Sequence, residues 1–558
     1  MSSLVRDIAD EYMHALAVRE PSAALALGRP SPARALADLS PEWLEERYAL
    51  QGGVLDRLAA LPADAPDAVL RAALAERLAG DRALFDTGFT MRLVAGLATP
   101  VHLVLGSIEG LAIGDDAAGR AVLERLEAGP AAVREYMRSL ARARDLGRAG
   151  RFTGTGVASA RQIRILADQV AGWVRSDYFA GIERAVDLSP AVAARADAAA
   201  AAMTAALSEL VGFLRDELLA DAAEDDAMGE AVYATMAASM LGSPIDLDEV
   251  YGFGWSELER LVALSRELAE QLGGSGGDPV RSAAALLDAD PRYRLEGIEA
   301  IVTWLRRRVA ESVDVLGAEA FDLPPTIDDV ECVVSQASAG VVYYTPAPPD
   351  GTVPSRIVWT VPSGLPVAAT WQEVTSVHHE GLPGHHLEHT VNRANADLHP
   401  WQRYLCEVHG FAEGWAHYAE ALSDELGLIR DPAERLGMVL GQIWRSVRIV
   451  ADIGMHTGRP IPPTTLTAET SWTPALARTF LEDYAMVEPD LARFEVDRYL
   501  GYPGQALAFK VGAKLWSEAR EAWRARRGPD ARLADFHREA LALGPMGLAP
   551  LRALLLAD

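Results

Sequence analysis

Between Val377 and His389 the chain reads VHHEGLPGHHLEH, a Pro-Gly pair set inside a run of five histidines. Pro383 has no N–H to offer the carbonyl of residue 379, and Gly384 tolerates torsions that other residues avoid. A helix entering this run therefore bulges or breaks within it. Eight of the chain's twelve histidines fall between His378 and His417, so the break sits where the imidazoles are densest. Neutral imidazole is the commonest protein ligand for zinc, and a His-Glu pair beside a second His supplies ligands together with a base for activating water.

Two readings of this run stand side by side. In the first, Trp371 opens a helix behind a Thr370–Glu373 capping box, and that helix carries His378, His379 and Glu380. On an unbroken helix His379 and His385 would lie about 240° apart around the axis. His378 and His385 share a face but stand about 10.5 Å apart along it, so neither pair can share one ion without the break. The second reading uses His385 and His389, four apart on one face, with Glu388 beside the second in the inverted order of some zinc peptidases. A further ligand is expected from the segment 411–420, FAEGWAHYAE, in which Glu413, His417 and Glu420 share a helix face. Phe411 and Trp415 flank Glu413 and mark the stretch as buried, and a buried carboxylate needs a cation.

The fold class expected from the residues is mainly α, a large helical chain with a small antiparallel sheet just before the histidine run. Apolar residues recur three and four apart through 121–126 and 256–272, as a buried helix face requires. Gly/Pro clusters at 273–279 and 323–326 interrupt the pattern. From Val330 to Pro362 β-branched and aromatic residues predominate, and 341–345 and 355–361 read as an antiparallel pair whose second strand offers an edge to an extended peptide. Residues 1–558 are expected to form one catalytic unit, with 1–322 mostly helical and 323–558 holding the sheet and the metal-site helices.

The formal charge of −27 disfavours nucleic acid and anionic membranes as partners. Residues 1–11 look like an amphipathic helix start without the basic and apolar regions of a signal peptide, which predicts a cytoplasmic protein. Residues 93–107 are too short and too interrupted to span a bilayer. The two cysteines, Cys332 and Cys406, are too few for a disulfide scaffold and read as buried thiols.

Three motifs, HEGLPGHH at 379–386, FAEGWAHYAE at 411–420 and YPGQALAFK at 502–510, resemble in order and combination the bacterial family called domain of unknown function 885. That resemblance implies a large two-lobed helical zinc-peptidase-like fold, with a deep cleft between the lobes and the small antiparallel sheet beside it. Carried over residue by residue, it implies one Zn²⁺ held by His379, His385 and Glu413, with Glu380 as the base, and so favours the broken helix over the inverted motif. Glu388 is a departure, standing where the family is expected to carry Gln more often.

The expected activity is that of a zinc-dependent hydrolase, a metallopeptidase cleaving short peptides through a metal-activated water. Such ligands also accept Mn, Co or Fe. Tyr499, Tyr502 and His456 are candidate donors to a developing oxyanion. Arg445 and Arg448, about one turn apart, are candidates for binding a substrate carboxylate, and Gln505 and Lys510 for lining the cleft. Two other classes stay open: a metal enzyme acting on a specialised small molecule, and a noncatalytic helical metal-binding protein.

Overall fold

The computed structural model describes residues 3–29, 34–109, 116–179, 190–336, 342–349, 351, 353–361 and 367–556. Helix α1 (Leu4–Arg19) begins where the Ser3 hydroxyl accepts the Arg6 N–H, and it buries Val5, Ile8, Tyr12, Met13 and Leu16 along one side. Helices α2 (Asp116–Arg148), α3 (Ala160–Arg175) and α4 (Pro190–Gly212) follow. In α5 (Leu247–Gln271) the buried residues Leu258, Leu261, Val262, Ser265 and Leu268 fall three and four apart, the spacing expected from the sequence.

The apolar interior forms two clusters. One joins α1 and neighbouring N-terminal residues to the region from Tyr233 to Leu551. The other draws on Leu36 and on residues from Val94 to Leu218, mainly in α2, α3 and α4. These cores do not follow a boundary at residue 322, because the first helices pack with the last. Among the described residues one helical stretch, Ala194–Asp221, is long and apolar enough to cross a membrane. Here its Met203, Ala206, Leu207 and Leu210 are buried in the second core.

The sheet departs from the antiparallel expectation. Strands β1 (Arg294–Glu296) and β5 (Val367–Ala369) form an antiparallel pair of their own. In the larger sheet, with β2 (Val330–Gln336), β3 (Val342–Thr345) and β4 (Ser355–Val361), the order is β2-β4-β3. The β3–β4 pairing is antiparallel as expected, with Tyr344 opposite Ile357, but β2 runs parallel to β4. Strand β4 is thus paired on both sides and has no edge to lend; among the described strands β3 is the edge on the side of the histidine run. Val341 and Asp350, both within the expected hairpin, lie outside the described residues.

Helices then carry the chain through α6 (Thr370–Glu380), α7 (His385–Ala394), α8 (His409–Glu425), α9 (Pro432–Thr457), α10 (Pro489–Gly501) and α11 (Ala508–Arg527). The expected capping box at the start of α6 does not form. The N-cap is Ala369, and Thr370 gives both its N–H (2.7 Å) and its hydroxyl (3.1 Å) to the Tyr293 carbonyl next to β1. Helices α8 and α11 approach closely because glycines face each other: a Cβ on Gly414 would lie 2.7 Å from the Gly512 backbone.

Candidate metal centre

The helix does break between His379 and His385. Helix α6 ends at Glu380, the Leu382–Pro383 peptide is cis, and α7 starts at His385. The loop is pinned from two sides. The buried His378 ring bonds the Leu382 carbonyl through Nδ1 at 2.8 Å, and the Trp415 indole N–H donates to the Pro383 carbonyl at 3.0 Å. Gly384 is required by close approach, since a Cβ there would stand 1.9 Å from the His379 carbonyl oxygen.

The break brings His379 and His385 together, their ring centroids 5.0 Å apart and their planes nearly perpendicular. Helix α8 supplies Glu413, whose Oε2 lies 3.2 Å from His379 Nε2 and 3.6 Å from His385 Nε2. Ligand atoms of the three residues all lie within 4.8 Å of one another. Tetrahedral zinc, with bonds of about 2.0–2.2 Å, sets its ligands about 3.4 Å apart, so the donor set fits such an ion. Phe411 and Trp415 are buried, as the sequence suggested, while Glu413 keeps 22 % side-chain exposure.

Glu420, which shares a face with Glu413, fixes the orientation of His379. Its Oε1 takes the His379 Nδ1–H at 2.8 Å, which leaves Nε2 directed toward Glu413. The Glu420 side chain has no solvent exposure and also meets the Thr375 hydroxyl (3.1 Å), the Gln442 amide (3.4 Å), His417 Nδ1 (3.3 Å) and the Arg445 guanidinium (3.8 Å). Burial opposes charge on His379, but hydrogen bonds to Glu413 and Glu420 and the nearby Glu380 push the imidazole up to about 10. Burial likewise opposes charge on Glu413, yet both histidines hold it well below the usual carboxylate range. Carboxylates that favour protons on two imidazoles also favour a divalent cation in their place.

Glu380 stands beside this group, its carboxyl raised by burial and partly restored by His379, His385 and the Tyr344 backbone N–H of β3. The inverted pair is arranged differently. His389 lies against Tyr344, ring centroids 5.4 Å apart, and Glu388 is 2 % exposed and bonded to Asn392.

Of the proposed oxyanion donors, none joins the His379–His385–Glu413 group. The Tyr499 hydroxyl donates to Glu495 at 2.7 Å within a buried cluster of Arg448, Arg498 and Trp444. The Tyr502 hydroxyl donates to the Ala98 carbonyl at 2.8 Å, which directs it toward the second core. His456 Nε2 bonds the Tyr499 carbonyl at 3.1 Å, and its ring stacks on Tyr233. Each has a fixed partner elsewhere, and none of the sequence motifs revealed those partners.

Arg448 is committed to Glu495 at 2.8 Å, and its guanidinium covers the Phe509 ring at 4.6 Å. Phe509 in turn stacks 6.1 Å from His379. Arg445 is held more loosely, 3.5 Å from the Gly441 carbonyl and 3.8 Å from Glu420. Gln505 accepts from Arg498 at 2.6 Å, and Lys510 bonds Gln442 and Glu257. Sequence reasoning missed Thr375, Gln442, Glu257 and Tyr344. Glu420 carried a signal, seven residues after Glu413 on one helix face, whereas the others carried none.

The family model for bacterial proteins of unknown function (DUF885) matches residues 21–555. No curated protein matches the sequence. Solved structures that share the fold include the following two. A "putative lipoprotein" from Colwellia psychrerythraea has a TM-score of 0.81 at 19 % identity, over 99 % of this chain and 98 % of its own. A "putative lipoprotein of unknown function" from Shewanella oneidensis has a TM-score of 0.72 at 15 % identity, over the whole of both chains. These descriptions overturn the cytoplasmic expectation: relatives of this fold are described as lipoproteins, so the character of residues 1–11 does not set a cytoplasmic location.

Proposed function

Because the chain belongs to the DUF885 family, whose function is unknown, we propose a function from the site itself: a zinc-dependent hydrolase, most simply a metallopeptidase acting on short peptides. The observation that carries this reading is the convergence of His379, His385 and Glu413 next to a raised Glu380 carboxyl. Zinc bound there would supply Lewis acidity toward a carbonyl and toward water.

The chain's own groups account for the rest of the chemistry. Glu380 takes a proton from the attacking water and returns it to the departing amine, a task suited to a carboxyl whose pKa burial raises above the ordinary carboxylate value. Glu420 keeps the His379 tautomer fixed. Arg445, whose polar contacts to Gly441 and Glu420 are both long and whose guanidinium lies over the Trp444 and Phe509 rings, is a cation placed for a substrate carboxylate or a developing oxyanion. The edge of β3, which touches Glu380 through the Tyr344 N–H, is placed to guide an extended peptide past the base. The two apolar cores support a two-lobed zinc-peptidase-like arrangement with a cleft.

Glu380→Gln tests the reading, because it keeps the shape and the metal ligands but removes the base. We expect hydrolysis of a di- and tripeptide panel to fall at least a hundredfold with metal content unchanged. Equal turnover by both proteins would remove Glu380 from the mechanism. A metal-loaded wild type inactive on every peptide would point to a specialised small-molecule substrate.

A further inference from the structure

Lys510 first reads as a cleft-lining residue, yet it is 5 % exposed and its ammonium is enclosed by protein groups. Nζ lies 3.0 Å from Gln442 Oε1 and 3.2 Å from Glu257 Oε2. From these contacts we infer that Lys510 is a positioning residue for the metal ligand His379, acting through Gln442 and Glu420. The inference rests on the metal-site reading above.

The polarity of an amide links Lys510 to Glu420. Gln442 has an acceptor end and a donor end, and an ammonium against Oε1 fixes which is which. Its NH₂ then faces Glu420 Oε2 at 3.4 Å, joining the Thr375 hydroxyl at 3.1 Å on the same oxygen. With Oε2 so occupied, Oε1 is left for the His379 Nδ1–H at 2.8 Å. Without the ammonium the amide is free to flip, which would turn its carbonyl against the buried carboxylate and disturb the hydrogen bond that orients His379.

The outer end of the chain is anchored as well. Glu257 binds Arg260 through both oxygens, at 2.8 and 2.9 Å. Burial works against its charge, but Arg260 and Lys510 hold the carboxyl down at about 2. Five elements are thereby linked from α5 to the site: Glu257 on α5, Lys510 on α11, Gln442 on α9, Glu420 on α8 and His379 on α6. Metal ligands are commonly oriented by partners of this kind, and losing one typically weakens metal affinity by about 10–100-fold.

The test is zinc affinity by chelator competition on metal-free wild type, Lys510→Met, Gln442→Leu and the double variant, with urea unfolding of each metal-free protein as a control for folding. We expect each single variant to bind zinc about tenfold more weakly. The double variant should be little worse than either, because both changes cut the same chain. Should Lys510→Met fail to fold, Gln442→Leu carries the same expectation alone. Unchanged zinc affinity with a raised KM would return Lys510 to substrate binding and overturn the inference, and fully additive losses would overturn the route through Gln442. A wild type that binds no zinc would instead defeat the metal-site reading itself.

Discussion

Glu388 lies one helical turn after His385 and is 2 % exposed; one oxygen meets the Asn392 amide, while the other has no hydrogen-bond partner among the described residues and stands 3.6 Å from the His389 imidazole. Burial pushes its carboxyl up to about 7, against the opposing pull of His385, Asn392 and Arg393. A carboxyl whose pKa is raised on folding stabilises the fold while protonated, and that contribution is lost as pH climbs from the unfolded value of about 4.5 to about 7. Glu388→Gln removes the ionisation, so the variant should gain on wild type across that window, reaching about 3 kcal/mol by pH 8. Urea unfolding at pH 5, 6, 7 and 8 checks this; parallel curves for the two proteins would show that Glu388 does not ionise at this cost. Such a residue is readable in the sequence as an acid on a histidine-rich helix, but the burial that outweighs its cationic neighbours is not.

The α6–α7 break depends on packing that no single residue displays. A methyl group on Gly384 would lie 1.9 Å from the His379 carbonyl and 2.4 Å from that of His378, both backbone atoms with little room to yield. Gly384→Ala should therefore cost on the order of 3 kcal/mol and weaken metal binding, since His379 and His385 are set by the same loop. Thermal unfolding with and without zinc measures both effects, and a variant matching wild type in each would show that the loop tolerates rearrangement.

His379, His385 and Glu413 were legible as candidates because a Pro-Gly break and two flanking aromatics leave marks in sequence. The alternation of β-branched and aromatic residues likewise revealed the β3–β4 pair. The sheet order was not legible, because β2 joins β4 in parallel from before the hairpin and takes the edge a peptide was expected to use. The partners of Tyr502 and His456 were hidden for a related reason: the carbonyls that bind them, of Ala98 and Tyr499, belong to other elements. The Lys510–Gln442–Glu420 chain spans three helices, and no motif encodes it.

Across the whole molecule, the candidate centre draws its ligands from α6, α7 and α8, all within the larger core, while the second core is built from residues on the N-terminal side. The fold is shared end to end with proteins only 15–19 % identical, so the architecture persists through extensive sequence change. A cation binding only the native state would stabilise it by about 4 kcal/mol at a thousandfold excess over its dissociation constant. The central claim is that the broken-helix residues, and not the inverted motif, hold that cation. Zinc content per chain of purified wild type, His379→Ala and His389→Ala tests it most directly. One zinc is expected in wild type and in His389→Ala and none in His379→Ala; zinc kept by His379→Ala and lost by His389→Ala would place the cation in the inverted motif instead.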